Sequence, residues 1–409
     1  MADAQSAPFH TNEQVKDRVQ DYIDASAVAA FEELSSPDGH PSITLKRRSK
    51  QSSLFINPSN GALETSGQET SATYSWPGKD AHEAWRFTVT LRILAAISEA
   101  VQAGLAISKR CVVRLAPCCA EGLAHDTRDI FYMDPTCFGS QRIVDATVDD
   151  IAHTVGVHRA ALNVEAAAKG LTTGCYTLTT KSGNVTDARS PTKVCPIYFS
   201  IPVADASQDT LVPRLEDTDG INISGVEWVL ILEKEAVFRR LARNSYHTRA
   251  VAGKGILITG KGYPDICTRA FVRRLYDTRC HRDMPRFYGL VDSDPDGMAI
   301  MATYKYGSMA HTHENRRLNV PGIQWLGLRS TDVAAVSDLQ GDDTSIRLTA
   351  RDRKKAAAML KNNPACAADG PEQQWRAELQ RMLMLNVKAE IEILYERGGL
   401  EAWIDQKTT

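Results

Sequence analysis

"RFYGLVDSDPDGMAIM" (residues 286–301) runs aromatic and aliphatic, sets down Asp292, Asp294 and Asp296 within five positions, then turns apolar again. It reads as a buried strand, an acidic turn and a helix. Like charges this close are costly unless a cation or several donors offset them. Upstream the pattern repeats. "EWVLIL" (227–232) is a buried strand followed by the helical "AVFRRLARN" (236–244), and "GILITG" (255–260) is a strand followed by "TRAFVRRLYD" (268–277). The third strand leads into "DGMAIMATYKYG" (296–307). Such alternation predicts a parallel sheet covered by helices on both faces, with functional residues at the carboxyl ends of its strands. The tail "QWRAELQRMLMLNVKAEIEILYERGGLEAWIDQ" (374–406) reads as two amphipathic helices that finish this domain.

The three strands deliver three loops to one edge. The first ends in Glu233, the second in "TGKGYPD" (259–265), and the third in Asp292 and Asp294. Glu233, Asp292 and Asp294 together make an all-carboxylate oxygen site suited to Mg²⁺, which takes one or two carboxylates and keeps waters. Asp296 opens the following helix, where capping or first-turn dipole stabilisation competes with any role at a cation.

The rest of the 409 residues is an ordinary globular composition, 43% hydrophobic and 24% charged, with a net charge of −2. Its apolar runs are far too short to span a bilayer. The first thirty residues carry acids and no apolar core run, so they are not read as a secretory signal. Nine scattered cysteines without repeated C-x-x-C spacing fit free thiols in a reducing compartment. Between 249 and 290 nine cations face three acids, a candidate phosphate footprint or simply a solvated basic helix face. Residues 1–80, rich in Ser, Thr, Gly and Pro, read as a disordered tail, with "LKRRSK" (45–50) as a nuclear address or DNA arm.

Order is expected from Ala81. Trp85, Phe87, Leu91, Leu94, Ile97 and Val101 recur at helical spacing. "DATVDDIAHTVGVHRAALNVEAAAKG" (145–170) has helix-turn-helix spacing around Gly156, and the β-rich "CYTLTT" and "VCPIYFSIP" that follow would supply a wing. The expected organisation is α/β plus winged helix. A winged-helix (CAP-like) DNA-binding domain occupies 81–205, a linker 206–222, and a Rossmann-like parallel sheet with C-terminal helices 223–409.

"GKGYPDICTRAF", "VDSDPDG" and "YKYGS" resemble the Toprim domain of topoisomerases and primases. Together with "RDIFYMD" (128–134) and "FGSQRIVD" (138–145) they resemble the A-subunit family of topoisomerase VI, most closely its eukaryotic branch of meiotic endonucleases. The resemblance covers about residues 81–409. It implies cleavage of both strands of double-stranded DNA by tyrosine transesterification, giving a 5′-phosphotyrosyl bond without ATP. The nucleophile matches Tyr132, and Phe131 stands where many relatives have a further Tyr. Arg128, four positions upstream, is the arginine that would hold the phosphate and assist a phenol whose free pKa is near 10. Glu233, Asp292 and Asp294 would hold Mg²⁺; Lys169, Lys261 and Tyr263 would contact DNA. A homodimer, in which Tyr132 of one protomer meets the acidic site of the other, a B-type subunit, meiotic accessory proteins and a nuclear, chromosomal location are implied likewise.

One departure stands out. Relatives run from "(S/T)KR" directly into "DIYY", whereas here "ISKR" (107–110) is followed by "CVVRLAPCCAEGLAHDTR" (111–128). This atypical insertion reads as a surface loop or as a retained intron, and it leaves Arg110 and Arg128 as rivals for the catalytic arginine. Two other functions stay open on the residues alone. One is a Toprim nuclease that activates water; the other is a DNA-binding scaffold that has lost cleavage.

Overall fold

The computed structural model describes residues 12–48, 53–66, 69–103, 107–108, 130–165, 168–180, 183, 185–188, 210–213, 220–278, 284–309, 312–333, 346–396 and 399–409. They fall into two compact units, 1–52 with 67–167 and 53–66 with 168–409. No helix among the described residues is long and apolar enough to cross a membrane.

Residues 12–48 and 69–80 of the first unit overturn the expected disordered tail over those stretches. Helix α1 (Asn12–Ser35) buries Val19, Ile23 and Ala30, and strand β1 (Ser42–Arg48) pairs antiparallel with β2 (Glu69–Ser75). Ile43 and Leu45 alternate inward while Thr44 and Lys46 face out, so a polar composition still yields one apolar strand face. The basic run "LKRRSK" is largely part of β1. Lys46 pairs with Glu69 at 3.2 Å and Arg47 with Asp150 at 2.9 Å, so these cations sit on a paired strand and not on a loose arm.

Helix α2 (Ala81–Gln102) starts where the spacing predicts, with Asp80 accepting the Glu83 N–H, and it buries Phe87, Leu94, Ile97 and Val101. The helices that follow include α3 (Ile130–Met133) and α4 (Gln141–Val155), with a single turn, Pro135–Phe138, between them. Gly156 caps α4 at φ +73°, a left-handed conformation that costs a glycine little. The expected second helix of the helix-turn-helix is only a 3₁₀ turn, Arg159–Leu162. Arg159 is buried there against Asp149 at 2.9 Å, so it is a bracket within the fold.

The second unit begins earlier than the expected boundary at 206. Its six-stranded sheet contains β3 (Leu171–Gly174), β4 (Thr210–Leu211), β5 (Trp228–Leu232), β6 (Gly255–Thr259), β7 (Arg286–Leu290) and β8 (Ile323–Gly327), in the order β4-β3-β6-β5-β7-β8. β5, β6 and β7 are parallel as predicted, β8 adds a fourth parallel strand that the sequence reading did not name, and β3 and β4 join antiparallel, making the sheet mixed. "CYTLTT" is no wing of the first unit, because residues 177–179 pair with 185–187 and 220–222 in a small sheet of the second. The expected linker supplies both β4 and residues 220–222. "VCPIYFSIP" lies outside the described residues.

Alternation along the strands divides the core. Val229, Ile231, Ile256 and Ile258 pack with Phe271, Val272 and Leu275 of α6 (Ile266–Thr278) and with Met298 and Met301 of α7 (Pro295–Lys305). Leu230, Leu232 and Leu257 pack on the other face with Val237, Phe238 and Leu241 of α5 (Glu235–Arg243) and with Trp403 and Ile404 near the C-terminus. Gly255 lets β6 lie against the Trp228 indole, where a Cβ would come within 2.2 Å of the ring. Phe238 is fully buried. Phe238→Ala should therefore lower the unfolding free energy of this unit by about 3–5 kcal/mol, read from chemical denaturation.

Beyond the sheet come α8 (Ala350–Asn362) and α9 (Gln373–Leu385). The tail holds the two expected α-helices, but a stretch of other structure separates them. Asn386 turns left-handed after α9, residues 387–388 are extended, Ile391–Glu396 form a 3₁₀ stretch, and α10 (Leu400–Thr408) closes the chain. The basic segment 249–290 is not a single footprint either. Arg269 is buried, and Arg273 pairs with Asp277 at 2.8 Å and donates to the Asn319 carbonyl.

Candidate active site

β5 and β7 are neighbours in register, Leu232 opposite Leu290, so their ends place Glu233 beside the 291–294 turn. The Glu233 N–H donates to the Leu290 carbonyl at 3.2 Å, and Glu233 Oε2 accepts the Asp292 N–H at 2.9 Å. Asp292 is 6% exposed. Its Oδ1 accepts the Ile391 N–H at 2.8 Å and its Oδ2 lies 3.2 Å from Lys234 Nζ. Asp294 is the N-cap of α7, accepting the Gly297 N–H at 2.7 Å with Pro295 as the first helical residue.

Burial, aided by the neighbouring Asp292 and Asp294 charges, pushes Glu233 up to about 8. Burial also raises Asp292 to about 6, with Lys234 and the Ile391 N–H working against the rise, and it raises Asp294. Three carboxyls thus resist ionisation at one sheet edge, the condition a divalent cation relieves. Among the described residues, no three acidic, histidine or cysteine side chains close into a metal cage by themselves. The donor set nonetheless fits a hard cation of the Mg²⁺ kind, which needs few protein oxygens and completes its shell with water or phosphate.

Asp296 lies in the first turn of α7, as one of the two expected roles has it, while Asp294 is the cap. Its Oδ1 accepts the Tyr263 hydroxyl at 3.0 Å and pairs with Lys355 of α8. Burial raises its pKa, but Lys355 and Tyr263 outweigh that and hold it below the usual carboxylate value. Lys355 also reaches the Tyr263 hydroxyl and sits 4.9 Å from the centre of its ring.

The three residues read as DNA contacts come together beside this edge. The Gly262 N–H donates to the Glu233 carbonyl at 2.8 Å, tying the 260–264 loop to the acidic site. Lys261 adopts φ +53° and pairs with Glu235 at 3.1 Å, while Tyr263 is 43% exposed. Lys169 is exposed; its N–H donates to Asp265 Oδ2 at 3.0 Å and its Nζ to the Lys261 carbonyl at 3.4 Å. Asp265 is a residue that sequence reading missed. Its position three before Thr268, whose N–H it accepts at 2.7 Å, was the available helix-cap signal. Nothing local announced Lys234 or Lys355.

Tyr132 lies in α3 of the first unit. Its flanks are anchored. Ile130 is buried, and Asp134 accepts the Cys137 N–H at 3.0 Å and pairs with Arg92 of α2, an anchor that sequence reading also missed. Arg110, Arg128 and the whole insertion 111–128 lie outside the described residues.

Comparison with known proteins gives two family matches. The model for the Toprim domain shared by Spo11 and the A-subunit of topoisomerase 6 matches residues 228–404, and the one described as type IIB DNA topoisomerase matches 118–164. The chain is similar to meiotic recombination protein SPO11-1 of Oryza sativa subsp. indica, with 35% identity over 310 residues, 76% of this chain and 69% of that one. It is similar to meiotic recombination protein SPO11 of Homo sapiens at 32% over 354 residues, 87% and 77% of the two chains. Meiotic recombination protein rec12 of Schizosaccharomyces pombe (strain 972 / ATCC 24843) is 30% identical over 394 residues, 95% of this chain and 94% of that one.

Proposed function

This chain belongs to the family of Spo11 meiotic recombination proteins and topoisomerase VI A-subunits, and on that premise we propose that it makes the DNA double-strand breaks that start meiotic recombination. The observation that carries the reading is the meeting of Glu233 and Asp292 at the ends of adjacent parallel strands, with Asp294 close enough to raise the cost of ionising both.

On this reading the Tyr132 oxygen attacks a backbone phosphorus. The P–O3′ bond breaks, the 3′ oxygen leaves and takes up a proton, and the phenol proton is lost. The phosphodiester energy is kept in a 5′-phosphotyrosyl bond, so the step needs no ATP. Arg128 holds the phosphate and favours the phenolate. Glu233, Asp292 and Asp294 would hold Mg²⁺, which when bound offsets charge on the phosphate and on the departing oxygen. The first unit, which carries Tyr132, acts as the DNA-binding domain. Each tyrosine cuts one strand, so two copies of the chain form the working homodimer, each supplying Tyr132 to its partner's acidic site. Meiotic accessory proteins and a B-type subunit complete the assembly, which works on chromosomes in the nucleus.

The deciding experiment supplies DNA, Mg²⁺ and the B-type partner and looks on a denaturing gel for protein attached to 5′ ends. Attached protein is expected. A second reading, a scaffold that binds DNA without cutting it, is favoured by the insertion 111–128, which separates "ISKR" from "DIFYMD"; it predicts binding with no attached protein.

Lys169→Ala should weaken duplex binding alike across sequences and lower the salt slope by about one, because a phosphate contact positions DNA without reading it. Fluorescence anisotropy over a range of NaCl concentrations measures both effects.

A further inference from the structure

The acidic edge already contains a cation of its own. Lys234 places Nζ 3.2 Å from Asp292 Oδ2, 3.0 Å from Glu390 Oε2 and 2.6 Å from Glu392 Oε2. Three carboxylates from two distant stretches of chain share one ammonium. Glu390 and Glu392 are carried by a strap that is itself fixed to the acidic turn. Ser293 and Ala389 exchange both backbone hydrogen bonds, at 2.9 and 3.2 Å, and the Ile391 N–H takes Asp292 Oδ1. Of the two Asp292 oxygens, one is therefore committed to the strap and the other is covered by Lys234.

A buried carboxylate without a counter-charge is expensive, so some cation belongs at Asp292 Oδ2. A lysine ammonium is a compact charge on a flexible four-carbon stem, able to shift by an ångström or two without moving the backbone. Glu392 and Glu390 offer it a second berth, with side chains 36% and 53% exposed against 8% for Asp292.

We propose that Lys234 is a positioning residue and built-in competitor: it holds Asp292 while the site lacks a divalent cation and withdraws onto Glu390 and Glu392 when one enters. The inference rests on the reading of Glu233, Asp292 and Asp294 as the cation site. It has a sign that a mere brace would not give. Removing the ammonium removes both a competitor and a nearby repulsive charge, so cation binding becomes tighter, although a brace has been lost.

Isothermal titration of the full chain with MgCl₂ and MnCl₂ tests this, with circular dichroism to establish that each variant is folded. Lys234→Met is expected to bind roughly tenfold more tightly than the unaltered chain, the size of effect that one charge removed from a partly buried site produces. Lys234→Arg keeps a competing cation and is expected to bind far less tightly than Lys234→Met. Glu392→Gln weakens the second berth, keeps Lys234 on Asp292 and is expected to weaken binding several-fold. If the unaltered chain binds but Lys234→Met binds equally or less well, the competitor role is overturned while the cation site stands. Should the unaltered chain take up neither cation, the cation-site reading falls and this inference goes with it.

Discussion

Tyr132→Phe should abolish attachment of the protein to DNA 5′ ends, by about 10⁴-fold or more, the order of loss when a covalent nucleophile is removed. A free tyrosine is ionised in only about one molecule in a thousand at pH 7, so its reactivity depends on neighbours that hold the phenolate and the phosphate together. Phenylalanine keeps the ring and loses the one atom that can bond to phosphorus. The chain has no understudy at the preceding position, which is Phe131. The measurement is a denaturing gel of end-labelled DNA, with circular dichroism on the same sample. Breaks that persist in the variant would mean that activated water does the cutting, and the tyrosine mechanism would have to be abandoned.

The parts of this molecule that were legible in its sequence are those where one physical requirement decides the outcome. Five-residue apolar runs such as "WVLIL" have to be buried on both faces, and that alone announces the parallel core of β5, β6 and β7. The acids at their ends follow from strand direction. The N-terminal region was misread because composition averages over both faces of a strand; β1 needs only Ile43 and Leu45 pointing inward, and its Thr and Lys positions look like a tail. The strap at 387–392 was hidden inside residues with good helix propensity. A left-handed Asn386 and backbone bonds to Ser293 override that propensity, and those bonds come from a turn almost a hundred residues away. Lys234 and Lys355 were illegible for the same reason: a lysine's own sequence does not say which distant carboxylate it will meet. Tyr132 was singled out by resemblance only, since a tyrosine in a short helix has no local mark of reactivity.

Glu233→Gln should cost at least ~10²-fold in cleavage, more than the usual loss from a supporting residue around a metal, and should also change how stability depends on pH. Glutamine keeps the shape and can still accept the Asp292 N–H, so the turn is preserved while a charge is deleted. In the folded, cation-free chain Glu233 titrates at about 8, against an ordinary value near 4.5. Below the ordinary value the carboxyl is protonated whether folded or not and costs nothing. Between the two values the folded chain holds a proton that the unfolded chain has released, so stability falls as pH rises, and the penalty is complete above about 8. Asp292, raised to about 6, adds to the lower part of the same window. A divalent cation binds the ionised carboxylates and reverses that loss, so its gain in melting temperature should be larger at pH 8.5 than at pH 5.5. In Glu233→Gln the fall in stability with pH should be shallower and the cation's gain at pH 8.5 largely absent. Melting curves of both proteins at the two pH values, with and without MgCl₂, read all of this from one set of samples. An equal gain in the two proteins would place the cation somewhere other than at this sheet edge, and the chemistry proposed for the DNA phosphate would lose its charge partner.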